Sequence, residues 1–64
     1  MTQEIWNEKM EQYHITFGQL AEKLGISKQT LTKKVQGKMD WTYPEMMKLV
    51  ELFEIADPQS FFFQ

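Results

Sequence analysis

The 64 residues carry seven lysines against nine acidic side chains, a formal charge of −2, and no cysteine. A chain this short buries only about 60% of the surface it exposes when unfolded, which provides for one core and not two. The absence of Cys removes any disulfide framework or thiolate metal site and fits a reducing, cytoplasmic setting. The longest apolar run, Phe61-Phe62-Phe63, is far below the roughly 20 residues of a membrane span, and the acidic, polar start Met1-Thr2-Gln3-Glu4 is unlike a secretory signal. A soluble single domain over residues 1–64 is expected, with a core that is helical or stapled by a partner.

Five helices are predicted, over about 3–14, 17–24, 28–36, 43–55 and 58–63. In the first, Ile5, Trp6, Met10 and Tyr13 share a face at helical spacing. The second opens on a capping box, Thr16 with Gln19, and a hydrophobic staple of Ile15 on Leu20; Phe17, Leu20, Ala21 and Leu24 form its apolar face and Gly25 its stop. The third opens on Ser27 with Ile26 stapled to Leu31, turns Leu31 and Val35 inward, and stops at Gly37. The fourth opens on Thr42 with Glu45, admits Pro44 in its first turn, and faces Met46, Val50 and Phe53 to the core. Asp57-Pro58 starts the fifth. No stretch alternates with period two, so the fold class is all-α.

The second and third helices are separated only by Gly25-Ile26-Ser27, a short glycine turn that forces a steep crossing, the helix-turn-helix arrangement. Ala21 lets the two helices approach closely, over Leu24, Ile26 and Leu31. Charge singles out the same region. Residues 1–26 set Lys9 and Lys23 against Glu4, Glu8, Glu11 and Glu22, for −2. Residues 27–38 carry Lys28, Lys33, Lys34 and Lys38 with no acid, for +4, and residues 39–64 set Lys48 against five acids, for −4. A polyanion is steered to the third helix and repelled elsewhere.

The run Gln19-Leu20-Ala21-Glu22-Lys23-Leu24-Gly25-Ile26-Ser27-Lys28-Gln29-Thr30-Leu31-Thr32 resembles the helix-turn-helix of phage-repressor, Cro-like (Xre-type) DNA-binding domains. Leu-Ala in the first helix, the Gly-hydrophobic-Ser turn, Thr-Leu-Thr in the next helix, Gly37-Lys38 and a Pro near the following helix start carry the resemblance, which covers nearly the whole chain. Many relatives carry an aromatic or aliphatic residue and then Glu where this chain has Lys34 and Val35, a departure that changes how the helix end packs. The resemblance implies a compact five-helix, phage-repressor-like fold and a transcriptional regulator, a repressor of phage or mobile-element type, acting on double-stranded DNA.

In such a motif the leading residues of the second helix meet base edges in the major groove. That assigns base contacts to Lys28, Gln29, Thr32 and Lys33: Gln29 matches adenine, the lysines guanine or phosphate, and Thr32 a base through its hydroxyl or thymine through its methyl. Phosphates are expected at the start of the second helix, on Thr16, Phe17 and Gln19, where free N–H groups favour an anion, and beyond the groove on Lys34, Gln36 and Lys38. These contacts set register without reading sequence.

The fourth helix carries more apolar surface than one core face needs, and three consecutive phenylalanines cannot all turn inward. A two-fold homodimer through Met47, Leu52, Phe61, Phe62 and Phe63 would cover the excess, placing two recognition helices about 34 Å apart; the competing arrangement docks one Phe on the first helix and leaves the others exposed. A second functional reading is a protein-interaction module, an antirepressor or antitoxin, gripping its target with helix 43–55 and the Phe cluster. Catalysis is not expected: Ser27 is a cap, Ser60 has no His partner, and there is no phosphate-binding glycine loop. The lone His14 at a helix end makes no zinc site, so no metal, cofactor, membrane or small-molecule ligand is expected.

Overall fold

The computed structural model describes residues 3–62, which form α1 (Gln3–Gln12), α2 (Phe17–Leu24), α3 (Lys28–Val35), α4 (Tyr43–Phe53) and α5 (Pro58–Phe62). There is no strand among the described residues. The starts follow from local side chains. Thr16 Oγ1 accepts the Gln19 N–H at 3.1 Å while Gln19 Oε1 accepts the Thr16 N–H at 2.9 Å; Thr42 and Glu45 repeat the reciprocal pair on α4. Ser27 Oγ accepts the Thr30 N–H at 3.0 Å. Asp57 accepts from the Ser60 hydroxyl and N–H, bonds that hold its carboxyl below the usual range.

Gly25 and Gly37 take left-handed φ of 72° and 80°. This lets the Ile26 and Lys38 N–H groups reach back to the Ala21 and Lys33 carbonyls and close α2 and α3. Two ends differ from expectation. α1 stops at Gln12 rather than 14, because His14 turns left-handed at φ 55° and the Ile15 N–H reaches Met10. α4 stops at Phe53 rather than 55 for the same reason, with Glu54 at φ 49° and the Ile55 N–H on Val50. A left-handed residue bearing a β-carbon costs roughly 1–2 kcal/mol. At Glu54 the stop releases Ile55 to be buried in the core. α3 ends one residue earlier than read, at Val35.

The core gathers Trp6, Leu20, Ala21, Leu31, Val35, Leu49, Phe53, Ile55 and Phe61. Trp6 is its hub, stacked on Trp41 at 5.1 Å and meeting the edges of Phe53 and Phe61. α4 is rotated from the expected face: Leu49 and Phe53, four residues apart, are wholly buried, whereas Met46 and Val50 are half-buried. The tail corrects the five-residue interface read from sequence. Phe61 is 8% exposed and belongs to the core against Trp6 of α1, and Leu52 is half-buried against the same core. Phe62 leans its edge on Trp41. Phe63 lies outside the described residues. Docking one Phe on the first helix is therefore what the fold does. α2 and α3 pack on each other across the Gly25 turn, which leaves one side of α3 without cover.

Candidate nucleic-acid interface

The uncovered side of α3 presents Lys28, Gln29, Thr32 and Lys33, with Gln36 and Lys38 just beyond its end, and all six are exposed. The opposite side, Leu31, Lys34 and Val35, is buried. Among the described residues no carboxylate pairs with Lys28, Lys33 or Lys38. Their charge is therefore directed to solvent along one edge of an acidic protein, where a polyanion meets it first.

Lys34 does not join them. It is 6% exposed, and its ammonium donates to Glu45 Oε1 and to the Asp40 carbonyl and lies 5.8 Å from the centre of the Trp41 ring. The expected phosphate contact at Lys34 is thus corrected: its stem fills an inward position beside Leu31 and Val35, and its head is neutralised inside the protein. Glu45 serves two ends at once, capping α4 through the Thr42 N–H and holding Lys34. Burial pushes the Glu45 carboxyl up, but the hydrogen bonds from Lys34 and Thr42 and the Lys34 charge outweigh this and leave it below the usual range. This pair ties α3 to α4, and the Lys34 bond to the Asp40 carbonyl holds the loop between them.

Lys28 lies across the start of α2. A β-carbon on Gly18 would stand 2.9 Å from Lys28 Cε and 3.4 Å from its Nζ. The space above Gly18 is therefore occupied by the lysine stem, and its ammonium sits beside the first turn of α2. There the Phe17 and Gly18 N–H groups have no intrahelical partner. The Thr16 hydroxyl accepts from Gln19 and retains its own proton, and the Gln19 amide uses its oxygen on Thr16 and retains its NH2. Charge and unspent donors from both helices of the motif thus converge on one spot.

Thr32 is narrower in capacity than its sequence suggested. Its hydroxyl donates to the Lys28 carbonyl at 2.9 Å, which leaves the methyl group and the oxygen lone pairs facing out. Gln29 makes no side-chain hydrogen bond within the described residues and keeps both halves of its amide. Two participants escaped the sequence reading. Gly18 bears the signal of a glycine in the first turn of a helix, where a better helix former would serve unless space were needed. Glu45 was read as a cap only. Among the described residues no cluster of His, Cys, Asp or Glu could hold a metal, and no helix is long and apolar enough to cross a membrane.

Comparison with known proteins agrees with this geometry. Residues 7–58 match the Cro/C1-type HTH DNA-binding domain, a span that includes α2, the turn, α3 and α4 whole. Neither the curated proteins nor the solved structures yield a match. The matched span takes in both helices of the motif and the exposed stripe of α3, and on it the chain belongs to the Cro/C1-type helix-turn-helix DNA-binding family.

Proposed function

We propose that this DNA-binding regulator is a cytoplasmic repressor of phage or mobile-element type, a single unit over residues 1–64 that occupies an operator with α3 in the major groove. One observation carries the reading: Lys28 and Lys33 on the outward stripe of α3, with Lys38 just beyond its end, have no carboxylate partner among the described residues, on a protein that is acidic elsewhere. Of the four side chains expected at the bases, Gln29, Thr32 and Lys33 remain the base readers, with Gln29 matching the adenine edge and the Thr32 methyl suiting thymine, and Lys28 moves to the backbone. Lys28, leaning over Gly18, shares a phosphate with the Thr16 hydroxyl, the Phe17 N–H and the Gln19 amide. Lys38 and Gln36 hold a phosphate at the other end of the helix.

One recognition helix reads only a few base pairs, so two copies are needed for a specific site. The groove between α4 and α5 supports a two-fold pairing. It is lined by Tyr43, Met46, Met47, Val50 and Phe62, with Tyr43 61% and Met47 41% exposed. This patch keeps Met47 and Phe62 of the expected interface and adds Tyr43, Met46 and Val50, and a second copy buries it. Selection of bound duplexes from a random pool tests the whole reading. Recovery of a palindrome with half-sites one helical turn apart is expected; a pool that shows no enrichment overturns it. Met47→Glu should keep the fold and lower affinity for the palindrome without altering the half-site sequence.

A further inference from the structure

All three large apolar side chains exposed among the described residues, Met39, Tyr43 and Met47, border two cavities that meet at Met46 and Phe62. The second of these is the α4–α5 groove, and its α4 wall is the row Tyr43, Met46, Met47 and Val50. At 3.6 residues per turn this row lies beside the buried side of the helix, Leu49 and Phe53. On the other side of the row, the flank of α4 carries Lys48 and Glu51, three residues apart and both exposed. No ion pair among the described residues engages either one.

Charge makes that flank decisive in a two-fold contact. Residues 39–64 carry five acids and one base, so apposing this half of two copies sets −4 against −4. The one base is Lys48, next in sequence to Met47 of the apolar row. When two copies of a helix pack antiparallel about a two-fold axis, each flank meets the same flank of the other copy running in reverse. A flank of two acids would repel itself. One that holds a base and an acid a turn apart is complementary to itself, and both crossed pairs form together. We infer, on the two-fold pairing proposed above, that α4 packs antiparallel on α4 of a second copy, with Lys48 of each facing Glu51 of the partner subunit. The apolar row supplies the attraction, and the two crossed ion pairs fix its direction and register.

Sedimentation equilibrium of the full chain without DNA reads dimer affinity for wild type, Lys48→Glu and Glu51→Lys. Both positions are exposed, and circular dichroism checks that both variants stay folded. Each variant alone sets like charges at both crossings and should dimerise about tenfold more weakly than wild type. For Glu51→Lys this opposes the effect of net charge, which the substitution moves from −2 to 0 and which by itself favours association. An equimolar mixture of the two variants puts opposite charges back at both crossings, so heterodimers should form in preference to either homodimer, with near wild-type affinity. A Glu51→Lys homodimer as tight as wild type or tighter overturns the inference, as does a mixture with no preference for heterodimers; either result leaves two-fold pairing through the apolar groove standing. A wild-type chain that stays monomeric up to millimolar concentration overturns the pairing itself and the inference with it.

Discussion

Lys34 and Lys38 are four residues apart and chemically identical, yet one is an interior group and the other a surface charge. Lys34 shares its face of α3 with Leu31 and Val35 and its ammonium is satisfied by Glu45; Lys38, past the left-handed Gly37, returns to solvent with no partner among the described residues. The difference teaches that a basic cluster counted along the chain overstates the charge offered to a partner. Register on the helix decides which lysines are offered, and here three of the four between residues 27 and 38 are.

The largest effect expected from breaking this contrast is on stability. Glu45→Ala strands the buried Lys34 charge and removes one half of the α4 capping box, at a cost of roughly 3–5 kcal/mol, a large fraction of the total for a domain this small. Combining Lys34→Met with Glu45→Gln removes both charges and keeps the cap, and should fall within about 1 kcal/mol of wild type. Denaturant melts of the two variants read the difference.

On the outward face, Gln29→Ala should cost roughly 1–3 kcal/mol at one base position and leave the others unchanged, as measured by affinities for a panel of single-base operator variants. The two lysines then separate in a salt titration. Lys38→Ala should reduce the slope of log affinity against log salt by about 0.9, the share of one phosphate, for every sequence alike. Lys34→Met with Glu45→Gln should leave that slope at its wild-type value. Equal slopes for the Lys38 and Lys34 variants would erase the distinction between the faces.

Gly18→Ala is a smaller perturbation that sharpens the same comparison. The added methyl meets only the far end of a flexible lysine, so stability should hold or rise by up to about 1 kcal/mol. Affinity for all duplexes should fall as Lys28 is moved off the start of α2. The mildest effect is on pH. The folded Glu45 carboxyl lies below its ordinary value of 4.5, so its contribution is complete above that pH and is lost as pH falls through the lowered folded value. Thermal melts of wild type should drop over that acid range, and the Lys34→Met, Glu45→Gln pair should flatten the drop.

Much of the fold was legible because its signals are local. Thr16 with Gln19, Thr42 with Glu45, Ser27, Asp57, and the stops at Gly25 and Gly37 each act within a few residues, and each forms as its neighbours dictate. The left-handed stop at Glu54 was not legible, because glutamate does not mark that conformation; at His14 the only signal is a residue type modestly enriched there. The fate of Lys34 was hidden for a different reason. Its partner lies eleven residues away, on another helix, and a long stem with a charged head suits a buried or an exposed position equally well. Phe61 and Leu52 were read as surplus because the sequence does not reveal that Trp6 receives the Phe61 ring or that Leu52 packs against the core.

Amide shift mapping on addition of duplex DNA tests the central claim most directly. The account predicts shifts at Thr16, Phe17 and Gln19 and along Lys28, Gln29, Thr32, Lys33 and Lys38, with Leu49 and Phe53 undisturbed. Shifts confined to the α4–α5 groove around Tyr43 and Met47, with α3 silent, would contradict it.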